Sequence, residues 1–162
     1  MEKTSHGNYD VATEALKNYA DMVRRICFIY LRNYTDVEDA FQDVFLKLLQ
    51  SDIKFENEEH IKAWLCRVAI NKCKDTTKSF FRKYVTSIDD IEIPFEDKVE
   101  SDVMNAVLSL PPKYKDVVYL FYYEDYTVPE MAKLLNMKEN TIYSNLHRAR
   151  ELLKKELGGL EI

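Results

Sequence analysis

Four polar residues at helical spacing form a first candidate nucleic-acid surface. They are Arg67, Asn71, Lys74 and Lys78. Each lies three or four residues from the next, which is the spacing of neighbours on one helix face. Aromatic and basic side chains follow directly, namely Phe80, Phe81, Arg82, Lys83 and Tyr84. Cations bind phosphates and aromatic rings stack on unpaired bases, so this segment is predicted to bind single-stranded or locally opened nucleic acid. The alternative is an aromatic core cluster beside a solvated basic edge.

Polar side chains near the C-terminus form a second candidate nucleic-acid surface. They point away from the apolar stripe of a predicted helix and are Asn140, Ser144, His147, Arg148 and Glu151. Amide, hydroxyl and guanidinium groups can hydrogen-bond to base edges or to phosphates. Arg150, Lys154 and Lys155 follow and can reach the phosphate backbone. A helical hairpin that serves packing alone is the alternative.

A leucine among acidic residues marks a candidate protein-binding surface. Leu46 shares a helix face with Asp39, Gln42 and Asp43, opposite the predicted core stripe of that helix. An apolar side chain surrounded by polar ones suits contact with a partner protein. An exposed leucine without a function is an equally good interpretation, because single exposed leucines are common.

Residue patterns typical of catalysis or metal binding do not occur in the sequence. The cysteines are Cys27, Cys66 and Cys73, and the histidines are His6, His60 and His147. The cysteines are too sparse for a disulfide framework and lack zinc-ligand spacing, so we predict buried thiols. The histidines are too scattered for a triad, and the three glycines lie near the chain ends, which excludes a glycine-rich phosphate loop. We therefore expect no enzyme activity, no metal and no cofactor.

The N-terminal half is predicted to form three helices that position the first and third of these surfaces. Residues 10–31 carry a helical apolar stripe that includes Leu16. Thr35 and Glu38 have the spacing of a capping box, which would start the second helix at Thr35. The third helix is predicted to begin near Asn57.

The C-terminal part is predicted to contain a helix-turn-helix. Residues 110–112, Leu-Pro-Pro, open a first helix, and residues 127–130 form a capping box with proline in the first turn of a second. Residues 136–138 form the turn, since Asn136 tolerates the left-handed conformation. The following helix, about residues 139–157, would then lie in a major groove.

Charge divides the chain into segments although the net charge is only −5. Six basic residues and one acidic residue lie between Arg67 and Lys83, whereas seven acidic residues and one lysine lie between Ser87 and Asp102. The alternative to a functional charge pattern is that the basic residues and the acidic residues simply form two solvated faces. We predict an N-terminal domain at residues 9–84, an acidic linker at 85–101 and a C-terminal domain at 102–158.

Membrane segments and a signal peptide are not predicted. The longest apolar run, residues 117–123, is too short to span a bilayer, and the first six residues contain no apolar core of a signal sequence. We therefore expect a cytoplasmic protein without membrane insertion.

Three motifs in one order resemble those of bacterial RNA polymerase sigma factors of the extracytoplasmic-function group. They are the acidic helix at residues 36–46, the segment 63–71 with Asp75, and the segments 110–114 and 126–150. The resemblance covers roughly residues 9–157. It implies an all-α fold of two small helical domains, a sigma domain 2 bundle and a sigma domain 4 helix-turn-helix, joined by the acidic linker.

The resemblance also implies a function, partners and site residues. Such a protein binds core RNA polymerase through the β′ clamp helices and the β flap, melts the minus-ten element and reads the minus-thirty-five element of promoter DNA. An anti-sigma factor is a further candidate partner. The implied polymerase-binding residues are Asp36, Asp39, Gln42, Asp43 and Leu46. Those for the minus-ten element are Trp64, Arg67, Asn71, Lys74, Asp75, Lys78, Phe80 and Arg82, and those for the minus-thirty-five element are Lys138, Asn140, Thr141, Tyr143, Ser144, His147, Arg148 and Arg150.

The chain departs from the family pattern in its second half. Asn136 and Lys138 stand where a glycine turn and a small hydroxyl cap are usual, and Tyr143 and Asn145 stand where basic residues are frequent. The promoter preference of other family members is therefore not assigned to this chain. Two rivals remain at this stage, a helix-turn-helix regulator that works without polymerase and a sigma-like activator from a mobile element. The first would need neither the acidic helix nor the basic, aromatic segment.

Overall fold

Seven helices make up the part of the chain that the computed structural model describes, residues 2–83 and 98–158, with side chains described at 9–77 and 102–158. They are α1 (Glu2–Leu31), α2 (Tyr34–Gln50), α3 (Glu58–Lys83), α4 (Lys98–Leu108), α5 (Pro112–Tyr122), α6 (Val128–Leu135) and α7 (Glu139–Glu156). No strand occurs among these residues, so the all-α prediction is confirmed.

Two compact units divide the chain, Met1–Ser87 and Ile88–Ile162. The N-terminal unit contains α1 to α3 and the C-terminal unit contains α4 to α7. Most of the predicted acidic linker, residues 85–97, lies outside the described residues, and its last four residues belong to the first turn of α4.

A two-residue connection turns α1 directly into α2. Arg32 closes α1 with a φ of 53°, and Asn33 caps α2 with extended backbone. The Asn33 side-chain oxygen accepts hydrogen bonds from the backbone N–H groups of Thr35, at 2.9 Å, and Asp36, at 3.3 Å. The predicted capping box at Thr35 is therefore wrong, because asparagine caps a helix as well as threonine does and it comes first along the chain.

The core of the N-terminal unit joins one face of each of its helices. Fully buried side chains include Val23 of α1, Val37 and Val44 of α2, and Leu65 of α3. Each such side chain contributes about 1.5–3 kcal/mol when it leaves water. All three cysteines are buried free thiols in this unit, as predicted. Leu16, which was predicted in the core stripe of α1, is instead 43% exposed.

The C-terminal unit packs α5 and α6 against α7. Its buried cluster joins Tyr114 and Val118 of α5 to Ala149 and Leu153 of α7, with α4 supplying Val107. Pro112 starts α5 as predicted, and Asn136 ends α6 with a φ of 53°, which confirms the left-handed turn. The turn therefore ends α6 and changes the chain direction, so that α7 packs across α5 and α6.

Loss of the α6 capping box is expected to destabilise this unit measurably. The Thr127 hydroxyl accepts from the Glu130 N–H at 3.3 Å, and a Glu130 carboxylate oxygen accepts from the Thr127 N–H at 3.1 Å. Thr127→Ala is expected to lower the free energy of unfolding by about 1 kcal/mol, since it leaves a helix-terminal donor without its partner. Urea unfolding followed by circular dichroism measures this change. Glu130→Gln is the control because glutamine preserves the reciprocal cap, and an equal loss in both variants would contradict the cap.

Candidate nucleic-acid and partner interfaces

The outer face of α7 brings together most of the residues predicted for the minus-thirty-five element. Ile142, Leu146, Ala149 and Leu153 anchor the opposite face in the core. The residues left exposed by this packing are Lys138, Asn140, Thr141, Tyr143, Ser144, His147 and Arg148. Donors and acceptors of several kinds thus lie on one convex helical surface, which fits the chemistry of base edges and phosphates. His147 Nε2 lies 3.3 Å from a carboxylate oxygen of Glu151 on the same face.

Arg150 differs from the other predicted residues of α7 because it packs against α5. Its side chain is half-buried, and its Nε donates a hydrogen bond of 2.7 Å to the Tyr122 hydroxyl. The guanidinium carbon lies 5.6 Å from the centre of the Phe121 ring and 5.8 Å from that of Tyr122, so both rings attract the cation. Arg150 therefore joins α7 to α5 through polar and cation–π contacts.

Two cations, the guanidinium of Arg148 and the ammonium of Lys113, influence the phenol of Tyr114 in α5. The Lys113 Nζ also lies 5.0 Å from the centre of the Tyr114 ring. Burial raises the pKa of the Tyr114 phenol, but the hydrogen bonds and charges of the two cations outweigh burial, so this pKa lies below its usual value.

The exposed face of α3 carries part of the predicted minus-ten set. Arg67, Asn71 and Asp75 are exposed one helical turn apart, while Lys74 and Trp64 are half-buried beside them. The side chains of Lys78, Phe80 and Arg82 lie outside those that the structure describes. Along the exposed face of α3, the cation of Arg67 is therefore followed by the amide of Asn71 and the carboxylate of Asp75.

An aromatic cluster at the start of α3 lies outside the sequence predictions. The Phe55 ring, from the segment between α2 and α3, lies edge-on to His60 at 5.1 Å and to Trp64 at 5.8 Å between ring centres. Of the three, only Trp64 was a predicted site residue. No periodic pattern marks Phe55, because it precedes the helix and packs back on it.

The outer face of α2 presents the predicted acidic and apolar residues. Asp39, Gln42 and Leu46 are exposed, Leu46 by 50%. Burial raises the pKa of the Asp36 carboxyl, and the negative charge of Asp39 raises it further. Asp43 instead forms an ion pair of 3.0 Å with Lys72 of α3. The outer face of α2 thus combines the neighbouring negative charges of Asp36 and Asp39 with the apolar side chain of Leu46.

An apolar groove of about 450 Å³ continues from Leu46 toward α1. It is lined on α1 by Tyr9 and Leu16 and on α2 by Phe45, Leu46 and Leu49. Its position explains the exposure of Leu16, whose helical spacing alone suggested burial. Tyr9 and Leu49 are also exposed, so three apolar side chains extend the surface around Leu46.

Neither a metal site nor a membrane span occurs in the described part of the chain. No group of three or more histidine, cysteine or carboxylate side chains converges there to hold a metal ion. None of the helices described is long and apolar enough to cross a bilayer.

Two family models match the chain in the order of its two units. The Sigma-70 region 2 model matches residues 15–84, which include α2 and α3, and the Sigma-70 region 4 model matches residues 101–153, which include α5 to α7 up to Leu153. The exposed faces described above therefore lie within the matched segments.

Relatives and solved structures agree with these matches. The chain is 24% identical to the ECF RNA polymerase sigma factor SigW of Bacillus subtilis, covering 99% of this chain and 96% of SigW. It is 29% identical to the sigma factor SigV of the same organism, covering 82% of each chain. Its fold resembles the sigma factor RpoE, solved in complex with the anti-sigma factor NepR from Bartonella quintana, with a TM-score of 0.76 at 18% identity over 92% of this chain and 98% of that one. CnrH, solved with the cytosolic domain of CnrY, gives a TM-score of 0.69 at 19% identity over 97% and 94%.

Sigma factors of this kind direct promoter-specific transcription and are not themselves enzymes. Both halves of the chain carry the family's regions in the family's order, and the similarity to SigW extends over nearly the whole length. The chain belongs to the sigma-70 family of RNA polymerase sigma factors, within its extracytoplasmic-function group.

Proposed function

We propose that this sigma factor docks on the β′ clamp helices of core polymerase through α2, melts the minus-ten element with α3 and reads the minus-thirty-five element with α7. The single observation that carries the proposal is the exposed acidic and apolar face of α2. A regulator that bound DNA without polymerase would have no use for such a face.

The charges and apolar surface of α2 favour a cationic, amphipathic partner. Asp36 and Asp39 lie three residues apart on one face and repel each other, so the pKa of Asp36, which burial raises, is raised further by the charge of Asp39. A positive charge on a partner would relieve that repulsion. Leu46 and the groove beside it would supply the desolvated centre of the interface, with the acids at its rim.

The exposed residues of α3 support contact with an opened minus-ten element. Arg67 can neutralise a phosphate, and Asn71 one turn later can hydrogen-bond to the edge of an unpaired base. The Phe55, His60 and Trp64 rings add stacking surface for single-stranded DNA. Binding energy for the unpaired strand would offset the cost of opening the duplex.

Arg67→Ala is expected to slow promoter opening about tenfold and to reduce the dependence of binding on salt by about one phosphate contact. The reason is that the variant lacks the Arg67 charge, which would bind a phosphate of the displaced strand. Fluorescence of a base analogue in the minus-ten element measures opening by the holoenzyme. Arg25→Ala, which removes an exposed arginine of α1, is the matched control. A promoter with a pre-opened bubble should restore the variant, and a defect that persists on that template would contradict a role in melting.

The C-terminal unit is proposed to hold the upstream promoter element and the β flap. Seven of the residues predicted for the minus-thirty-five element lie exposed on the α7 side of the helix-turn-helix. The short α6 and its left-handed turn at Asn136 present α7 in the manner of a major-groove recognition helix.

Run-off transcription with purified core polymerase on genomic fragments tests the whole proposal. The full chain is expected to produce discrete transcripts that core polymerase alone does not make. Fragments bound tightly by the chain alone, without transcripts when polymerase is present, would instead favour the operator-binding regulator.

An anti-sigma factor is proposed as a further partner. The support is that two similar folds, RpoE and CnrH, were solved with an anti-sigma factor and with the cytosolic domain of CnrY, respectively. Affinity purification of the chain from its own host, followed by a transcription assay with each captured protein, tests this. The expected result is a protein that inhibits transcription and is displaced by core polymerase.

A further inference from the structure

We propose that Arg150 and Tyr122 are positioning residues for DNA reading, and that their contact fixes the orientation in which α7 presents its outer face to the minus-thirty-five element. The inference rests on the DNA-reading function proposed above for α7. It replaces the direct DNA contact that the resemblance implied for Arg150 with an action through α5.

The Arg150 side chain is held against α5 by a hydrogen bond and by two aromatic rings. Its Nε donates to the Tyr122 hydroxyl over 2.7 Å. Its guanidinium carbon lies 5.6 Å from the centre of the Phe121 ring and 5.8 Å from that of Tyr122. These two rings stand at 79° to each other, with 5.0 Å between their centres. Three contacts from one helix therefore limit the freedom of a long cationic side chain on the other.

Tyr122 is a firm support because it packs on the core of the C-terminal unit. It is partly buried against the cluster that includes Val118 of α5 and Ala149 and Leu153 of α7. Ala149 precedes Arg150 directly, so the polar contact lies at the edge of the apolar contact between the same two helices. Apolar burial has no direction, whereas a hydrogen bond does, so the polar contact can select one orientation of α7.

Arg150 lies next to residues that are proposed to read DNA. It follows His147 by three residues and Tyr143 by seven, so the three side chains leave α7 on neighbouring sides. Tyr143 and His147 are exposed, whereas Arg150 is half-buried against α5. A rotation of α7 that broke the Arg150 contact would also shift Tyr143 and His147. Because base recognition depends on hydrogen-bond geometry, a fixed orientation favours discrimination between sequences.

The ratio of two promoter affinities, measured with the reconstituted holoenzyme, tests the proposal. One fragment is a promoter found by run-off transcription, and the other is the same fragment with its minus-thirty-five element scrambled. Partial unfolding of a variant lowers both affinities by the same factor and cancels from the ratio. A residue that only stabilises the fold would therefore leave the ratio unchanged, whereas loss of a positioning residue lowers it.

Arg150→Lys and Tyr122→Phe are each expected to lower the ratio about fivefold, which is the smaller end of the cost of one lost base contact. Lysine keeps the positive charge but lacks the planar guanidinium, and phenylalanine keeps the ring but lacks the hydroxyl. The double variant should lose no more than either single variant, because both changes remove the same hydrogen bond. Lys133→Ala is the control, since it removes an exposed positive charge of α6 in the same unit, and it should keep the wild-type ratio.

Salt dependence distinguishes positioning from a phosphate contact by Arg150. A phosphate contact would make Arg150→Ala reduce the slope of log affinity against log salt concentration by about one. We expect Arg150→Ala to keep the wild-type slope, because its guanidinium is engaged with α5. A slope reduced by that amount would overturn the proposal.

The wild-type ratio in Arg150→Lys or in Tyr122→Phe would overturn the positioning role and leave the proposed function standing. An equal fall of the ratio in Lys133→Ala would also overturn it, because the loss of any positive charge would then explain the effect. Equal binding of the two fragments by the wild-type holoenzyme would instead refute DNA reading by α7, and the inference with it. These outcomes separate the two failures.

Discussion

Replacing Asp39 and Leu46 together with alanine is expected to lower the affinity for core polymerase by about 100-fold or more, with the fold intact. Leu46 would fill an apolar site on the partner, and Asp39 would pair with a cation at the rim. Both side chains are exposed on the outer face of α2, so we expect their truncation to leave the buried core of the N-terminal unit in place. Fluorescence anisotropy of the labelled chain titrated with core polymerase measures the loss.

Asp21→Ala is the control for this experiment, because Asp21 is an exposed acid on α1. It should bind polymerase as the wild type does. Thermal unfolding of the double variant should match the wild type within about 0.5 kcal/mol, as is usual for exposed positions. If the double variant keeps full affinity, α2 is not the polymerase-docking surface.

Ile142→Ala is expected to destabilise the C-terminal unit by about 2–5 kcal/mol. Ile142 is fully buried on the inner face of α7, and truncation removes apolar contacts and leaves a cavity. Small helical units have little stability to spare, so such a loss unfolds a large share of molecules at physiological temperature. Urea unfolding reports the change, and promoter binding should fall in parallel with the folded fraction.

Tyr143→Ala separates folding from function at the adjacent position. Tyr143 is 57% exposed on the outer face, so its loss should change stability by less than about 0.5 kcal/mol. Promoter affinity or base preference should change nonetheless. A stability loss in Tyr143→Ala equal to that of Ile142→Ala would contradict the assignment of inner and outer faces on α7.

Local rules predicted the helix-turn-helix well because its signals are close together in the chain. The capping box at Thr127 and Glu130, proline in the first turn and the left-handed Asn136 each depend on interactions within a few residues. The buried face of α7 likewise follows from its periodicity, since Ile142, Leu146, Ala149 and Leu153 recur at helical spacing and are all buried.

Local patterns are insufficient where the outcome depends on a neighbouring helix or on competing local signals. The Arg150 contact joins residues 28 apart in the chain, so no local pattern can show it. Leu16 has the spacing of a core residue, but a groove lies beside it instead of a packed helix. At the start of α2, Asn33 and Thr35 were both good caps, and the two-residue connection after α1 decided in favour of Asn33.

The buried thiols of the N-terminal unit can be used to detect conformational opening of that unit. All three cysteines of the chain lie there, and each is shielded from water. An alkylating reagent such as iodoacetamide can modify them only in molecules whose helices have transiently separated. The labelling rate of the unaltered protein, followed by mass spectrometry, would therefore give the opening equilibrium of that unit without any signal from the cysteine-free half.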